Sequence, residues 1–465
     1  MAMNELGFVA ALKSANIRRT PRNWGGKNDS EKRSAMEMLT HFLLVIFSAG
    51  SFFQFLSSKR ADEAASKSTS YRFLENEHFN WRKLVTCIAY NATGLISKLT
   101  SSSRVKCFVL DDSVIPRNKS KMVELLSWTF DHVIGKSVKG FNLLLLGWTD
   151  GFSFIPVAFN MMISSRLVIA EDQKSDKQKA REKIDKRTNG FKARQDGLLA
   201  KTDAAIKMLE SALTIGITAS YVLMDTWFTN EPFIRRICAM GLDVIGMVKD
   251  CKQQYWYNGK LYGLKDLYRI ASNRRTDEIW GSIVVATKYS NIKVKLVFVR
   301  NRNSRDKYVV LLSTDTDLSD QEIIRIYGNR WSIECCFKAC KSLLQLGKEN
   351  KGLSYDLTIS TTALALLRFT ILEWIRRKEN DQKTFGEIFR VCLDDIADMD
   401  LTTALRELME IISNGVMDGN VILSASARAQ LVSWYLSQPQ FIRALFPDFM
   451  EEVPEELREA FATAV

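Results

Sequence analysis

The sequence predicts an α/β protein: a mixed sheet sandwiched by helices, interrupted by a β-rich insertion, with helical N- and C-terminal regions on either side. Three observations predict it. Between residues 105 and 250, apolar runs follow the order strand, hairpin, helix, strand, helix, strand. Strand signals then crowd together as far as residue 315. After residue 316 comes an amphipathic helix with charged and aromatic residues along one stripe. These features divide the chain into 1–100 (helical, with a basic arm), 101–250 (first part of the core), 251–315 (insertion), 316–350 (final core helix) and 351–465 (helical C-terminal region).

A chain of 465 residues can bury large cores and hold two to four domains. With 46% hydrophobic residues its composition is globular. A net charge of +12 favours a polyanionic partner, and charge alone suits DNA, RNA and an anionic membrane equally. The eight cysteines lack CxxC spacing and fit reduced thiols in a cytosol.

Arg18, Arg19, Arg22 and Lys27 lie in a Pro- and Gly-containing stretch that reads equally as a phosphate-neutralising arm or a solvated tail. Helical patterns follow over about Ser30–Leu56 and Trp81–Leu99. The uncharged run Met38–Leu56 includes Thr40, His41, Gly50, Ser51 and Gln54, and reads as a buried helix pair broken near Gly50-Ser51 rather than a membrane span.

Val105–Leu110 is a strand running into Asp111-Asp112-Ser113. Phe141–Trp148 and Phe152–Phe159 form a hairpin about Thr149-Asp150-Gly151. Asp150 is then a turn residue, and Asp131 and His132 lie in a connecting stretch. The cationic segment Lys174–Lys201 suits DNA contact or solvent alike, and leads into a helix over Thr202–Leu213. Tyr221–Met224 is a strand ending in Asp225, Asn230–Met240 a helix and Val244–Val248 a strand.

In the insertion, Tyr255–Tyr262 is a hairpin on the Asn258-Gly259 turn, and Ser282–Thr287, Lys293–Arg300 and Tyr308–Ser313 are further strands. Arg274, Arg275, Lys293, Lys295, Arg300, Arg302, Arg305 and Lys307 make it basic. Leu357–Lys378 and Thr402–Ser413 read as helices, and Glu451, Glu452, Glu455, Glu456 and Glu459 make the end acidic.

Ser319-x-x-Glu322 is a capping box that starts the last core helix near Asp320. At about 100° per residue, Tyr327, Arg330, Glu334 and Lys341 share a stripe roughly 60° wide, opposite Ile333, Cys336, Phe337, Cys340, Leu343 and Leu344. Gly328-Asn329 is a potential break, after which the stripe holds from Arg330 onward. Cys335, Cys336 and Cys340 have no second ligand pair for zinc and read as packing residues. Two apolar segments ending in aspartate, followed by a helix-borne glutamate, have the layout of an RNase H-like metal nuclease.

The spacing Tyr-x2-Arg-x3-Glu-x6-Lys, met by Tyr327, Arg330, Glu334 and Lys341, resembles the signature of the "IS-four" family of DDE insertion-sequence transposases. The flanking Arg330-Trp331 and Phe337-Lys-Ala-x-Lys341 are similar too, and the resemblance covers residues from about 100 to 350. It implies an RNase H-like catalytic core in which Asp112, Asp225 and Glu334 are catalytic and hold two Mg²⁺ or Mn²⁺ ions. Neighbours on a strand face opposite sides, so only one of Asp111 and Asp112 can serve. The family's first aspartate is often followed directly by Ser or Thr, which selects Asp112. Tyr327, Arg330 and Lys341 would hold phosphates, with Trp331 beside them.

In relatives an insertion aromatic stacks on a displaced base, for which Trp256 and Trp280 are candidates. The resemblance further implies double-stranded DNA as partner (terminal inverted repeats and target), a homodimer in the synaptic complex and no membrane. The place would be a prokaryotic cytoplasm, at the nucleoid, and the activity cut-and-paste transposition. The alternatives are an RNase H-like nuclease or inactive domesticated relative, and a non-catalytic basic DNA-binding or membrane-surface protein. Three carboxylates in a basic chain argue against the last.

Overall fold

The strand-forming runs of the sequence join into one sheet. In the computed structural model the described residues are 2–17, 34–49, 51–57, 65–169, 183–249, 253–271, 278–301, 307–349, 352–379 and 384–390. The chain divides into two compact units, Met1–Ile388 and Phe389–Val465, and every element named below belongs to the first. The basic arm, Arg274, Arg275, Arg302, Arg305, residues 170–182, Thr402–Ser413 and the acidic end lie outside the described residues.

The strands in chain order are β1 (Cys107–Pro116), β2 (Ser127–Asp131), β3 (Lys136–Thr149), β4 (Phe154–Met162), β5 (Tyr221–Met224) and β6 (Asp243–Val248). The insertion adds β7 (Gln254–Tyr257), β8 (Lys260–Gly263), β9 (Ile279–Thr287), β10 (Lys293–Arg300) and β11 (Tyr308–Ser313). Their order across the sheet is β2-β3-β1-β5-β6-β11-β10-β9-β7-β8, with β4 also on β3. β3 and β4 form the expected antiparallel hairpin. β1, β5 and β6 are parallel neighbours, joined by helical crossovers. This is the mixed α/β arrangement expected of the RNase H-like core. The insertion strands prolong the same sheet, because β11 pairs antiparallel with β6. Asn258 and Gly259, with φ of 47° and 77°, give the left-handed pair that a tight hairpin turn needs.

All nine residues of β4 are buried, so helices must cover both of its faces. The N-terminal helices are α1 (Ala2–Glu5), α2 (Phe8–Ser14), α3 (Ala35–Ala49), α4 (Phe52–Leu56), α5 (Lys67–Leu74) and α6 (Trp81–Leu99). The apolar run expected as a broken helix pair is α3 and α4, restarted by Ser51, whose side chain accepts from the Gln54 amide. Met38, Phe42, Ile46, Phe52 and Phe55 are buried.

The core helices are α7 (Asn189–Gly197), α8 (Lys201–Thr214), α9 (Glu231–Cys238), α10 (Leu264–Ala271), α11 (Asp320–Gly328) and α12 (Trp331–Ser342), followed by α13 (Tyr355–Glu379). Among the described residues α13 is the one helix long and apolar enough to cross a membrane, and 89% of its apolar window is buried within the protein. It holds Arg368, which is 1% exposed. That guanidinium donates twice to Glu349 at 2.7 Å and also to the carbonyls of Phe42 and Leu43, joining α13 to α3.

Three local expectations need correction. β1 does not stop at its aspartates but continues to Pro116, because β3 is long enough to pair with it from Thr149 to Gly140. Asp131 ends a strand, β2, where the sequence suggests a connecting stretch. Helices α7 and α10 stand where no helix was expected, their short patterns lying among loop-like charges and strand signals.

Candidate active site

Sheet register sets two carboxylates side by side. Leu110 of β1 lies opposite Met224 of β5, and the parallel ladder ends there. The next residue on each strand is an aspartate, so Asp111 and Asp225 leave the ladder at the same level and on the same face. The strand spacing of about 4.8 Å keeps the two charges close. Asp225 then turns the chain, its Oδ1 accepting from the amides of Trp227 (3.0 Å) and Phe228 (3.3 Å).

The third carboxylate comes from the C-terminal helices. Ser319 and Glu322 form the capping box at the start of α11, and the helix breaks after Gly328, with Arg330 at the restart. Arg330 donates from Nη1 to Asp111 Oδ2 at 2.9 Å and from Nη2 to Glu334 Oε1. Its guanidinium lies 5.9 Å from the centre of the Tyr327 ring. Two turns beyond Glu334, Lys341 Nζ donates to Ser113 Oγ at 2.7 Å. Asp111 and Ser113 are two apart on β1 and so share the face that α12 covers. The stripe read along this helix is therefore the surface that meets β1.

Asp112, expected as the first site carboxylate, lies between them and points the other way. Its Oδ2 accepts from Asn142 Nδ2 at 2.6 Å and from Lys201 Nζ at 3.0 Å, on the α8 side of the sheet. The alternation of side chains along a strand thus brings Asp111, and not Asp112, to Arg330 and Glu334. Trp331 is 63% exposed at the start of α12, open to a partner rather than packed. Cys336 and Cys340 are buried, as their expected packing role requires, whereas Cys335, expected to pack with them, is exposed.

Burial pushes the Asp111 carboxyl up to about 7; Arg330 opposes this, while Asp225 and Asp112 add to it. Burial likewise raises the Tyr327 phenol to about 12, so it remains a donor at neutral pH. Lys341 is shifted down by burial, against a nearby Asp131. Arg330 is desolvated too, yet the net shift is upward through Tyr327, Asp111 and Glu334.

No three acidic, His or Cys side chains among the described residues close on one point, since Arg330 bridges Asp111 to Glu334. The donor set still fits a divalent ion. It consists of hard carboxylate oxygens, and its most buried member holds its proton until a cation lowers its pKa. Arg330 is the cation to which these oxygens are now bound.

Sequence reasoning passed over Lys201, Asn142, Ser113 and Trp227. One signal was available: Lys201 opens α8, where the helix dipole disfavours a cation. Of the two candidate insertion aromatics, Trp280 is 3% exposed and packs against Tyr268 and Tyr308, whereas Trp256 is 39% exposed.

Residues 32–259 match the family described as DDE superfamily endonuclease, and residues 191–351 match transposase DDE domain. The first match includes Asp111, the second Glu334, and both include Asp225. No curated protein matches. With carboxylates at the ends of adjacent parallel strands and a glutamate brought to them by the last core helix, the chain belongs to the DDE transposases, a family of enzymes acting on DNA.

Proposed function

We propose that the protein cuts DNA strands at transposon ends and joins the freed 3′ ends to target DNA by two-metal, in-line phosphoryl displacement, with Asp111, Asp225 and Glu334 as the metal-holding carboxylates. The reading rests above all on the shared level of Asp111 and Asp225 at the end of the β1–β5 ladder, with Glu334 tied to Asp111 through one guanidinium. Mg²⁺ or Mn²⁺ on these oxygens would activate the attacking hydroxyl and stabilise the leaving one.

The chain's own residues do the positioning. With a divalent ion held by Asp111 and Glu334, the two donors of Arg330 would be free to take two oxygens of a backbone phosphate. Lys341, part-buried beside Ser113, gains most from an anion brought to it. Tyr327 keeps its proton and donates it. These contacts fix the scissile bond without reading sequence, while Trp331 lies open to sugar or base. The net charge of +12 supplies the general attraction for DNA. Double-stranded terminal repeats and target DNA are the partners, held by two copies of the chain in a prokaryotic cytoplasm.

The test uses DNA flanking the gene as substrate. Glu334→Gln is expected to bind this DNA with wild-type affinity and to lose Mg²⁺-dependent cleavage by at least a thousandfold. Equal cleavage by the variant would defeat the assignment. Cleavage by the wild type without strand joining would leave a nuclease and remove the transposition reading.

A further inference from the structure

The insertion strands extend the far side of the sheet, with β6, β11 and β10 between β5 and β9. Their β9–β10 turn nevertheless meets the segment that carries Asp225. Glu231, the first residue of α9, is 9% exposed. Its Oε1 accepts from the amides of both Tyr289 (2.7 Å) and Ser290. The loop from Asp225 to Glu231 is short and tightly held. The main-chain carbonyl of Asp225 accepts from Thr229 Oγ1 at 2.6 Å and from the Thr229 amide at 3.2 Å. Thr229 is buried against Gly246 of β6, where any larger side chain would run into Thr229 Oγ1.

Helix formation does not account for this contact. Asn230 already caps α9, its side chain accepting from the Phe233 amide. The helix dipole favours a carboxylate in the first turn, but does not require it to leave water. Burying it costs free energy unless hydrogen bonds replace that water, and here another segment supplies them. That segment is itself fixed. The Thr287 amide donates to the Ile292 carbonyl at 2.9 Å, and the Ile292 amide to Thr287 Oγ1 at 3.0 Å. Trp256 Nε1 donates to the Lys288 carbonyl at 3.0 Å. A braced turn therefore holds one end of the loop, and β5 holds the other.

We propose that Glu231 is a positioning residue for Asp225: through it, the β9–β10 turn fixes where Asp225 stands beside Asp111. Glu231 acts through the loop and not on the metal. Loss of its acceptor would release the far end of the loop, and the carboxylate at the near end would be less well placed. This rests on the reading of Asp225 as a metal-holding carboxylate, and it makes the insertion part of what holds that site in shape.

The experiment uses the full chain without DNA at about pH 8, where Asp111 has released its proton. Glu231→Met keeps the length of the side chain and removes the acceptor, whereas Glu231→Gln keeps the acceptor. Mn²⁺ binding is followed by the EPR signal of the free ion, and amide hydrogen exchange by mass spectrometry. Glu231→Met should bind Mn²⁺ roughly tenfold more weakly, the effect of losing an outer-shell partner. Its amides in 225–230 and 286–292 should exchange faster, while those of β4 should not change. Glu231→Gln should stay within about twofold of the wild type in both measurements. In the wild type, Mn²⁺ should slow exchange in 286–292, because coupling between the two places is reciprocal.

Wild-type Mn²⁺ affinity in Glu231→Met, or unchanged exchange in 225–230 while 286–292 loosens, overturns the proposal. So does a Glu231→Gln variant as impaired as Glu231→Met, since charge and not the acceptor would then matter. Should Glu231→Met fail to fold, the wild type decides alone: Mn²⁺ binding without slower exchange in 286–292 defeats the inference. If the wild type binds no Mn²⁺ and Glu231→Met still loosens 225–230, the metal reading of the site fails and the tie stands.

Discussion

Replacing Asp111 by Asn tests the site through folding, independently of catalysis. Burial raises this carboxyl from 3.8 to about 7, with its side chain only 16% exposed. The folded form therefore holds its proton where the unfolded chain has released it. Stability from this group is complete below pH about 4 and is lost as pH rises toward 7. Integrated from about pH 5 to about pH 8, the loss is on the order of 2.5 kcal/mol. Asn has no proton to lose, so the stability of Asp111→Asn relative to wild type should rise by about that amount over the interval. Urea unfolding at the two pH values, without metal, measures it. Mg²⁺ at about pH 8 should then stabilise the wild type and leave Asp111→Asn nearly unaffected. Parallel pH profiles for the two proteins would show that Asp111 does not lie in a buried, cation-seeking position, and the assignment of the first carboxylate would fail with it.

Other perturbations follow from the same structure. Arg368→Ala leaves Glu349, 2% exposed, without its partner, and should cost about 3–5 kcal/mol in denaturant unfolding. Ser319→Ala removes the side-chain half of the capping box at α11 and should cost about 1 kcal/mol, with cleavage largely retained at low temperature. Arg330→Lys keeps the charge but cannot bridge two groups; cleavage of flanking DNA should fall by about tenfold or more. Cleavage at subsaturating Mg²⁺ should fall about tenfold per pH unit below about 7, because protons compete with the metal for Asp111.

Much of this architecture was legible because it is locally encoded. The Ser319/Glu322 capping box, the Asn258-Gly259 turn and the run Tyr221–Met224 each specify their geometry within a few residues. So does the stripe from Arg330 to Lys341, whose residues meet β1 after the break at Gly328. What escaped depends on partners far along the chain. Lys201 finds Asp112 across 89 positions, and Arg368 finds the carbonyl of Leu43 across 325. No window of sequence contains such pairs. β2 and the full length of β1 were missed for a related reason: both are stabilised by β3, whose extent no local signal announces.

The choice between Asp111 and Asp112 illustrates the limit most sharply. Local sequence favours the residue directly before Ser113, and a strand taken alone has no inside or outside. Facing is decided by what lies on each side of the sheet, here α12 on one and α8 on the other. Two further constraints agree on the outcome. Ser113 meets Lys341, and a residue two positions away must share that face, which selects Asp111. Independently, the β1–β5 ladder pairs Leu110 with Met224, which sets Asp111 level with Asp225. Exchanging the roles of the two aspartates would need a one-residue slip of β1, which would break its register with both β3 and β5. The pairing of β1 with its two neighbours thus determines which aspartate faces Arg330 and lies level with Asp225, and it does so before any metal or DNA is bound.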